Sequence, residues 1–183
     1  MLWTAWVLYV AAFLWNHARV RLARRGRAPV RRIQRDRRSD IGMLAQFAAV
    51  TLTFAVRRPE PASAWLAIAG AAALYGGVLV TWVSLGYLGR QWRMAAVVTD
   101  DQELVTGGPY RLVRHPVYTA FFAMLAGSIL LASQWWAGVV AVILHVAGTE
   151  VRIGAEDRLL ARHFGAAFER YKSATPAWLP PIR

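Results

Sequence analysis

The chain has 183 residues, of which 57% are hydrophobic and nine are tryptophan, and its formal net charge is +12. Ordinary soluble domains contain about 45–50% apolar residues, so the composition predicts an integral membrane protein. The absence of cysteine excludes disulfides and thiolate metal sites, and the four histidines lack a metal-binding spacing, so no metal is expected.

The first predicted element is a membrane span over residues 2–18, which a strongly basic loop follows. Residues 19–38 contain ten arginines and one aspartate. A cleavable signal peptide has its basic region before the apolar run, so this order instead indicates an N-terminus outside and a loop in the cytoplasm. A nucleic-acid-binding arm is the alternative reading. Membrane topology accounts better for the charge, so no nucleic-acid partner is expected.

Four further apolar segments predict spans, over about residues 40–56, 62–88, 116–132 and 134–150. The predicted fold is therefore an all-α, multi-pass protein of the inner cell membrane, with about five transmembrane helices in a single domain. Ala69, Ala73 and Gly77 recur every fourth residue and predict a flat face for close helix packing. Segments 89–115 and 150–183, which include a C-terminal amphipathic helix, are then expected on the cytoplasmic side.

A rigid, cationic stretch, GGPYRLVRHPVYTA, occupies residues 107–120 at the start of the fourth span. Pro116 suits the first turn of a helix, because its missing N–H would have no partner there. Arg114 and His115 then lie at the positive end of that helix, which favours an anion. Arginines beside a span also serve simply as topological anchors, and this alternative remains open.

A second charged set follows the fifth span. Arg152 and Glu156 are one helical turn apart and are either a surface ion pair or part of a binding site. Asp157 adds a second carboxylate, so both signs of charge occur at the membrane boundary. Such a set suits a zwitterionic ligand, and ionisable groups near the membrane level often mark a site.

The ordered strings resemble a known family of membrane enzymes. They are LGRQW (88–92), ELVTGGPYRLVRHPVYTA (103–120), Arg152 followed by Glu156–Asp157, and HFGAAFERYKSATPAWLP (163–180). Over about residues 85–181 this pattern resembles the C-terminal half of isoprenylcysteine carboxyl methyltransferases. The wider group includes membrane phospholipid methyltransferases. Two departures from the pattern are Gln102, where the family often has histidine, and Ala120, where it has glycine.

The resemblance implies an enzyme that uses S-adenosylmethionine and binds it through segments 89–115 and 150–183. The cofactor-binding residues that it implies are Gln102, Leu104, Val105, Tyr110, Arg114, His115, Tyr118 and Glu156. Arg152 and Arg114 are the candidate catalytic residues, with Arg152 steering the methyl acceptor. No GxGxxG fingerprint follows a strand, so a soluble-type Rossmann cofactor domain is not expected.

The function that we expect is methyl transfer to a carboxylate or thiol of a lipophilic substrate. A carboxylate is already ionised at neutral pH and needs no general base, whereas a phospholipid amine must first lose a proton. Phospholipid amine N-methylation remains one alternative. Others are an NADPH-dependent enzyme similar to sterol reductases and a non-enzymatic scaffold or transporter. The expected partners are membrane lipids and a lipophilic small molecule or lipid substrate.

Overall fold

The computed structural model describes residues 1–23, 32–94, 96–99 and 101–179. The most basic part of the predicted cytoplasmic loop, residues 24–31, lies outside the described residues. So do residues 180–183, at the end of the predicted cofactor-binding segment.

Six α-helices contain most of the described residues. They are α1 (Leu2–Ala23), α2 (Arg38–Ala55), α3 (Ala64–Leu88), α4 (Pro116–Ala132), α5 (Trp135–Phe164) and α6 (Ala166–Ala174). Two short 3₁₀ turns, Gly89–Gln91 and Gly108–Arg111, lie between α3 and α4. The predominance of helix is confirmed.

The fold is not purely helical, because a two-stranded antiparallel ribbon joins the first loop to the segment before α4. Strand β1 (Arg32–Arg35) pairs with β2 (Val97–Thr99), with Gln34 opposite Val98. Val98 packs against Ala155 and Leu159 on α5. The strands escaped prediction because each has only three or four residues, too few to show a hydrophobic alternation.

Two helices, Ala64–Gln91 and Trp135–Phe164, are long and apolar enough to cross a membrane, and Pro116–Ala132 is a shorter apolar helix. Large apolar side chains cover the outer surface, and Trp65 and Trp135 are 81% and 76% exposed. Exposed apolar surface of this extent is unfavourable in water and suits contact with lipid.

Glycines bring the helices together in two pairs. Where α2 meets α5, a Cβ on Gly42 would lie 2.4 Å from the carbonyl oxygen of Gly148. Where α3 meets α4, a Cβ on Gly127 would lie 2.6 Å from the carbonyl oxygen of Gly70. Backbones at this separation leave no room for a side chain, so small residues determine both contacts.

The contact face of α3 differs from the predicted strip. Gly70 and Gly77 are buried against α4, whereas Ala69 is exposed and Ala73 is only half-buried. The four-residue spacing correctly placed Gly77 on the contact face. It also placed Ala69 there, whereas the residue in contact with α4 is its neighbour Gly70. In a helix that is apolar all round, small residues repeat on several faces and spacing alone does not choose among them.

Helix α5 continues well past the predicted end of the fifth span at residue 150 and reaches Phe164. Gly165 ends it with a φ of +53°, a conformation that favours glycine, and α6 follows. The predicted amphipathic tail helix is therefore divided between two helices. Because α5 is continuous, its charged residues are held on the same rigid rod as its membrane segment.

We predict that Gly148→Ala lowers the thermal unfolding midpoint of the protein. The new Cβ would lie 2.5 Å from the carbonyl oxygen of Gly42, so α2 and α5 would have to separate. Overpacking of this kind costs about 1–3 kcal/mol.

Gly76→Ala is the matched control, because a Cβ there meets nothing within 4 Å. It is expected to leave the midpoint unchanged or to raise it slightly, since alanine favours helix over glycine. Equal midpoints for the two variants in the same detergent would contradict the close packing of α2 on α5.

Candidate active site

The C-terminal segment fixes the entrance of α4. The backbone N–H of Arg114 donates to the carbonyl oxygen of Pro176 at 2.9 Å, and that of His115 donates to Ala177 at 2.8 Å. Pro116 then begins the helix with a φ suited to its first turn. The two side chains that precede α4 are thus directed by a distant part of the sequence.

Asp157 on α5 accepts hydrogen bonds from both of these side chains. Arg114 Nη2 lies 2.9 Å from Asp157 Oδ2, and His115 Nε2 lies 3.0 Å from Asp157 Oδ1. Glu156 Oε2 lies 3.4 Å from His115 Nδ1, and Lys172 Nζ lies 3.9 Å from Asp157 Oδ2. We call these five residues the ion cluster. Its members come from the turn before α4, from α5 and from α6.

The carboxylates hold His115 in its charged form. Burial by itself would lower the pKa of His115, but hydrogen bonds to Asp157 and Glu156 and their negative charges outweigh it and raise the pKa to about 9. Both ring nitrogens face carboxylate oxygens. At neutral pH His115 is therefore an imidazolium that donates two hydrogen bonds, and it is not available as a general base.

Arg152 connects the ion cluster to the rest of the site. Its Nε donates to the hydroxyl of Tyr118 at 2.7 Å, and its Nη2 donates to the carbonyl oxygen of Met94 at 2.8 Å. The Tyr118 hydroxyl donates in turn to Glu156 Oε1, which lies 3.9 Å from Arg152 Nη2. The ion pair between Arg152 and Glu156 is thus partly buried, with side-chain exposures of 8% and 24%.

A cavity of about 460 Å³ opens beside these groups. One part of its wall carries the charged and polar side chains, which are Gln91, Arg93, Gln102, Glu103, Arg114, His115, Arg152 and Glu156. The other part is apolar and largely aromatic. Its residues are Trp6, Tyr9, Val10, Phe13, Leu14, Met43, Phe47 and Phe121. The volume lies within the range of about 300–1,000 Å³ found for small-molecule sites.

All nine residues predicted from the sequence lie on the wall of this one cavity. They are Gln102, Leu104, Val105, Tyr110, Arg114, His115, Tyr118, Arg152 and Glu156. The structure thus brings together residues that are more than 50 positions apart in the sequence. Their individual roles stay predictions.

Three buried polar atoms in residues of the cavity wall have no hydrogen-bond partner in the described part of the chain. They are the hydroxyl of Tyr110, Oε1 of Gln91 and Nε of Arg114. Buried polar atoms are normally paired, so such atoms beside a cavity suggest a ligand that completes them.

The sequence that carries this site is similar to known proteins. A sequence profile of the phospholipid methyltransferase family matches residues 65–167, which is more than half of the chain. The chain belongs to this family. The match includes all of α4 and α5, α3 from its second residue and the segment between α3 and α4. It ends before the residues that hold Arg114 and His115 from the C-terminal side.

Individual relatives agree with this assignment. The isoprenylcysteine O-methyltransferase of Schizosaccharomyces pombe is 32% identical over 89 residues, 49% of this chain and 38% of that protein. The nickel-cobalt-cadmium resistance protein NccN of Alcaligenes xylosoxydans xylosoxydans is 35% identical over 102 residues, 55% of this chain and 47% of that protein. The uncharacterized protein YpbQ of Bacillus subtilis is 31% identical over 104 residues, 57% of this chain and 61% of that protein.

The resemblance to the isoprenylcysteine methyltransferases is confirmed by these matches. The chain spans about half the length of the curated relatives it matches.

Several residues of this family member's site were not predicted from the sequence. Asp157 was noted only as a second acid, yet it pairs with three cationic residues of the ion cluster, Arg114, His115 and Lys172. Gln91 follows the end of α3 and gave no signal beyond its place in LGRQW. Tyr9 and Gln46 lie in the first two predicted spans, where a polar group in an apolar run was the available signal.

We predict that the stabilisation contributed by His115 is lost in alkaline solution. Its pKa is raised from 6.5 to about 9 in the folded protein. The contribution is therefore complete below about pH 6.5 and disappears as the pH rises through about 9, and its full size is on the order of a few kcal/mol. The thermal midpoints of the unaltered protein and of His115→Gln should differ most at pH 6 and converge towards pH 9.5.

His163→Gln is the control for this comparison, because His163 lies exposed at the end of α5. His163→Gln should change the thermal unfolding midpoint only slightly at every pH from 6 to 9.5. A difference between the His115→Gln variant and the unaltered protein that is constant from pH 6 to pH 9.5 would show that the ion cluster does not hold the imidazolium.

Proposed function

We propose that the protein is an S-adenosylmethionine-dependent membrane methyltransferase that methylates a carboxylate or thiol of a lipophilic substrate. The observation that carries the proposal is the continuity of the cavity. Fixed charges of both signs line one part of it, and aromatic and aliphatic side chains line the other. A small zwitterion and a hydrocarbon chain can therefore meet in one cavity.

The residues of the charged part fit S-adenosylmethionine. Glu156 offers a carboxylate to the ammonium group of this cofactor. Leu104, Val105 and Leu159 supply apolar side chains of the cavity wall that suit a planar base, and the hydroxyl of Tyr110, another residue of the wall, is unpaired in the described chain. When bound, the cofactor supplies a methyl group made electrophilic by its sulfonium.

The chain's own part in the reaction is to orient the acceptor and to exclude water. Arg152 is the candidate for steering an anionic acceptor, and Tyr118 fixes the direction of its guanidinium through the 2.7 Å hydrogen bond. Alignment of this kind removes much of the entropic barrier of a two-reactant step. Arg114 is occupied by Asp157 and by the carbonyl oxygen of Thr175, so we assign it the positioning of the ion cluster.

The state of His115 favours an acceptor that needs no base. A carboxylate is ionised at neutral pH, and a thiol loses its proton far more readily than a protonated amine does. His115 cannot accept the proton of an amine, because it is already protonated and bonded on both sides.

Phospholipid amine N-methylation is the second candidate, and the family profile that matches the chain favours it. The two candidate functions can be distinguished by supplying labelled methyl donor with a lipophilic carboxylate, a lipophilic thiol or phosphatidylethanolamine and measuring which acceptor becomes labelled. Label on the phospholipid alone would replace the leading acceptor with the second.

We further propose that α1 to α5 all cross the membrane, with the N-terminus outside and the active site at the cytoplasmic face. The basic content of residues 19–38 supports this orientation. The ion cluster lies next to Pro116 and beyond Thr149, where the two charge-free stretches of α4 and α5 end, and this position suits the membrane boundary.

We predict that the purified protein in detergent binds S-adenosylhomocysteine in a calorimetric titration and does not bind NADPH. Glu156→Gln should weaken this binding at least tenfold, because it removes the negative charge proposed to meet the ligand's ammonium group. Glu169→Gln makes the same chemical change on the exposed face of α6 and should leave the affinity unchanged.

Absence of S-adenosylhomocysteine binding by the unaltered protein would end the proposal. Binding of NADPH in its place would favour the reductase alternative. If Glu156→Gln and Glu169→Gln bound S-adenosylhomocysteine with equal affinity, the proposed enzyme class would stand but the assignment of Glu156 to the site would be wrong.

We predict opposite effects from two tyrosine variants. Tyr110→Phe removes a hydroxyl without a partner in the described chain, so it should weaken S-adenosylhomocysteine binding about fivefold and leave the thermal midpoint unchanged. Tyr171→Phe removes a hydroxyl that donates to the carbonyl oxygen of Tyr110 at 2.6 Å, so it should lower the midpoint by a few degrees. A drop in midpoint for Tyr110→Phe with unchanged affinity would contradict a ligand-facing hydroxyl.

A further inference from the structure

We propose that Gln91 is a further cofactor-binding residue, whose side-chain Oε1 accepts a hydrogen bond from an N–H or O–H group of the adenosine part of S-adenosylmethionine. The inference rests on the proposed function, because it concerns the same ligand in the same cavity. It makes Gln91 a residue that selects the nucleoside of the cofactor, in addition to the residues that bind its charged end.

The turn that carries Gln91 is fixed by a contact with α1. Gly89 ends α3 with a φ of +51°, a conformation that favours glycine, and it begins the 3₁₀ turn Gly89–Gln91. The side-chain Nδ2 of Asn16, which is 3% exposed on α1, donates to the carbonyl oxygen of Gly89 at 3.2 Å. The backbone of Gln91 is thus held at the cavity wall.

The side chain of Gln91 is held by one of its two polar ends. It is 5% exposed and lines the cavity. Its Nε2 donates to the carbonyl oxygen of Asp101 at 3.3 Å. A carbonyl oxygen can only accept a hydrogen bond, so the amide cannot be turned end for end without losing this bond. The other end, Oε1, is buried and has no donor among the residues that the structure describes.

A buried acceptor without a donor is unfavourable, because the atom has lost its hydrogen bonds to water and gained none in return. Nearly all such atoms in folded proteins are paired. A methionine would fill a similar space without this cost. A ligand that brings a donor to Oε1 removes the cost, and the residue then discriminates against ligands that lack the donor.

Gln91 lies at the part of the cavity wall that we propose for the adenosine. Asp101, whose carbonyl oxygen its amide bonds, directly precedes Gln102 in the chain. Leu104 and Val105, the apolar residues that suit a planar base, follow two and three residues later. All three of these later residues line the same cavity as Gln91. The hydrogen bond to Asp101 therefore places the Gln91 amide beside the start of this stretch.

The charged end of the cofactor is assigned to the other side of strand β2. Arg152, which lies beside Glu156, donates to the carbonyl oxygen of Met94 at 2.8 Å. Met94 precedes β2, whereas Asp101 follows it. A cofactor whose ammonium group meets Glu156 can therefore extend its adenosine along this strand towards Gln91.

Adenosine has three groups that can donate to Oε1, namely the 6-amino group of the base and the 2′- and 3′-hydroxyls of the ribose. The ring nitrogens of the base and the ether oxygen of the ribose only accept hydrogen bonds, so they would leave Oε1 unpaired. Each of the three donors can be removed from the ligand separately. The donor that meets Gln91 is then identified by the analogue that loses this contact.

The test measures the affinity of the full chain in detergent for S-adenosylhomocysteine and for three analogues, which lack the 6-amino group, the 2′-hydroxyl or the 3′-hydroxyl. Gln91→Met keeps the length of the side chain and removes the acceptor, so it should bind S-adenosylhomocysteine about fivefold more weakly. For one analogue, which already lacks the donor, Gln91→Met should cause no further loss. The two changes are then non-additive, as expected for groups in direct contact.

Gln134→Met is the matched control, because Gln134 lies directly before α5 and does not line the cavity. Its affinities should equal those of the unaltered protein. An equal loss in Gln91→Met for all four ligands, which a purely structural role predicts, overturns the inference. So does an unchanged affinity of Gln91→Met for S-adenosylhomocysteine. Equal affinity of the unaltered protein for all four ligands, which is expected if water pairs with Oε1, overturns it without any variant.

These outcomes are distinguishable from failure of the proposed function. In each of them S-adenosylhomocysteine still binds the unaltered protein, so the proposed enzyme class stands and only the role of Gln91 is wrong. If S-adenosylhomocysteine does not bind, the proposed function and the inference are rejected together.

Discussion

The hydrogen bonds between Asp157 and the pair Arg114–His115 are the constraint on which the rest of the site depends. A buried carboxylate is unfavourable unless its charge is matched and its oxygens are bonded, and removing one partner leaves an uncompensated charge. Asp157 is 6% exposed and reaches Arg114 and His115 within 3.0 Å. This requirement fixes α5 against the turn before α4. The adjacent Glu156 is thereby directed along the cavity wall, where Tyr118 and Arg152 meet it.

Helix packing extends this constraint along α2 and α5. The close approach of Gly42 to Gly148 lies one turn from Arg152, so the depth at which α2 meets α5 also determines where the guanidinium lies. Arg152 then donates to the carbonyl oxygen of Met94, which directs the chain leading into β2 along the cavity. Arg152 therefore lies against α2 at Gly42 and also bonds Met94 on the cavity wall, so a movement of α2 would be transmitted to Met94.

The sequence sufficed for the charged residues of the site and not for the residues around them. Arg114, Glu156 and Arg152 stand out because charges are scarce near apolar spans. The partner of Arg114 was not predictable, because helical spacing describes neighbours on one helix and Asp157 lies on another. The charge after residue 150 correctly predicted the end of the apolar stretch, but it gave no sign that the span and the first part of the tail helix form one continuous helix as far as Phe164. Tyr9 and Gln46 were missed because single polar groups inside spans commonly serve packing.

The residues that hold the site extend beyond the part of the chain that matches the family profile. That match ends at residue 167, whereas Trp178 donates to Glu150 Oε1 at 2.8 Å and accepts a hydrogen bond from Thr119 at its carbonyl oxygen. Trp178 is buried against Tyr118 and Ile153, so it packs against both α4 and α5. Tyr118 and Ile153 flank the Tyr118–Arg152 hydrogen bond, because Ile153 follows Arg152 on α5. The packing beside this hydrogen bond is therefore completed from the C-terminal segment, as well as by the glycine contact of α2 with α5.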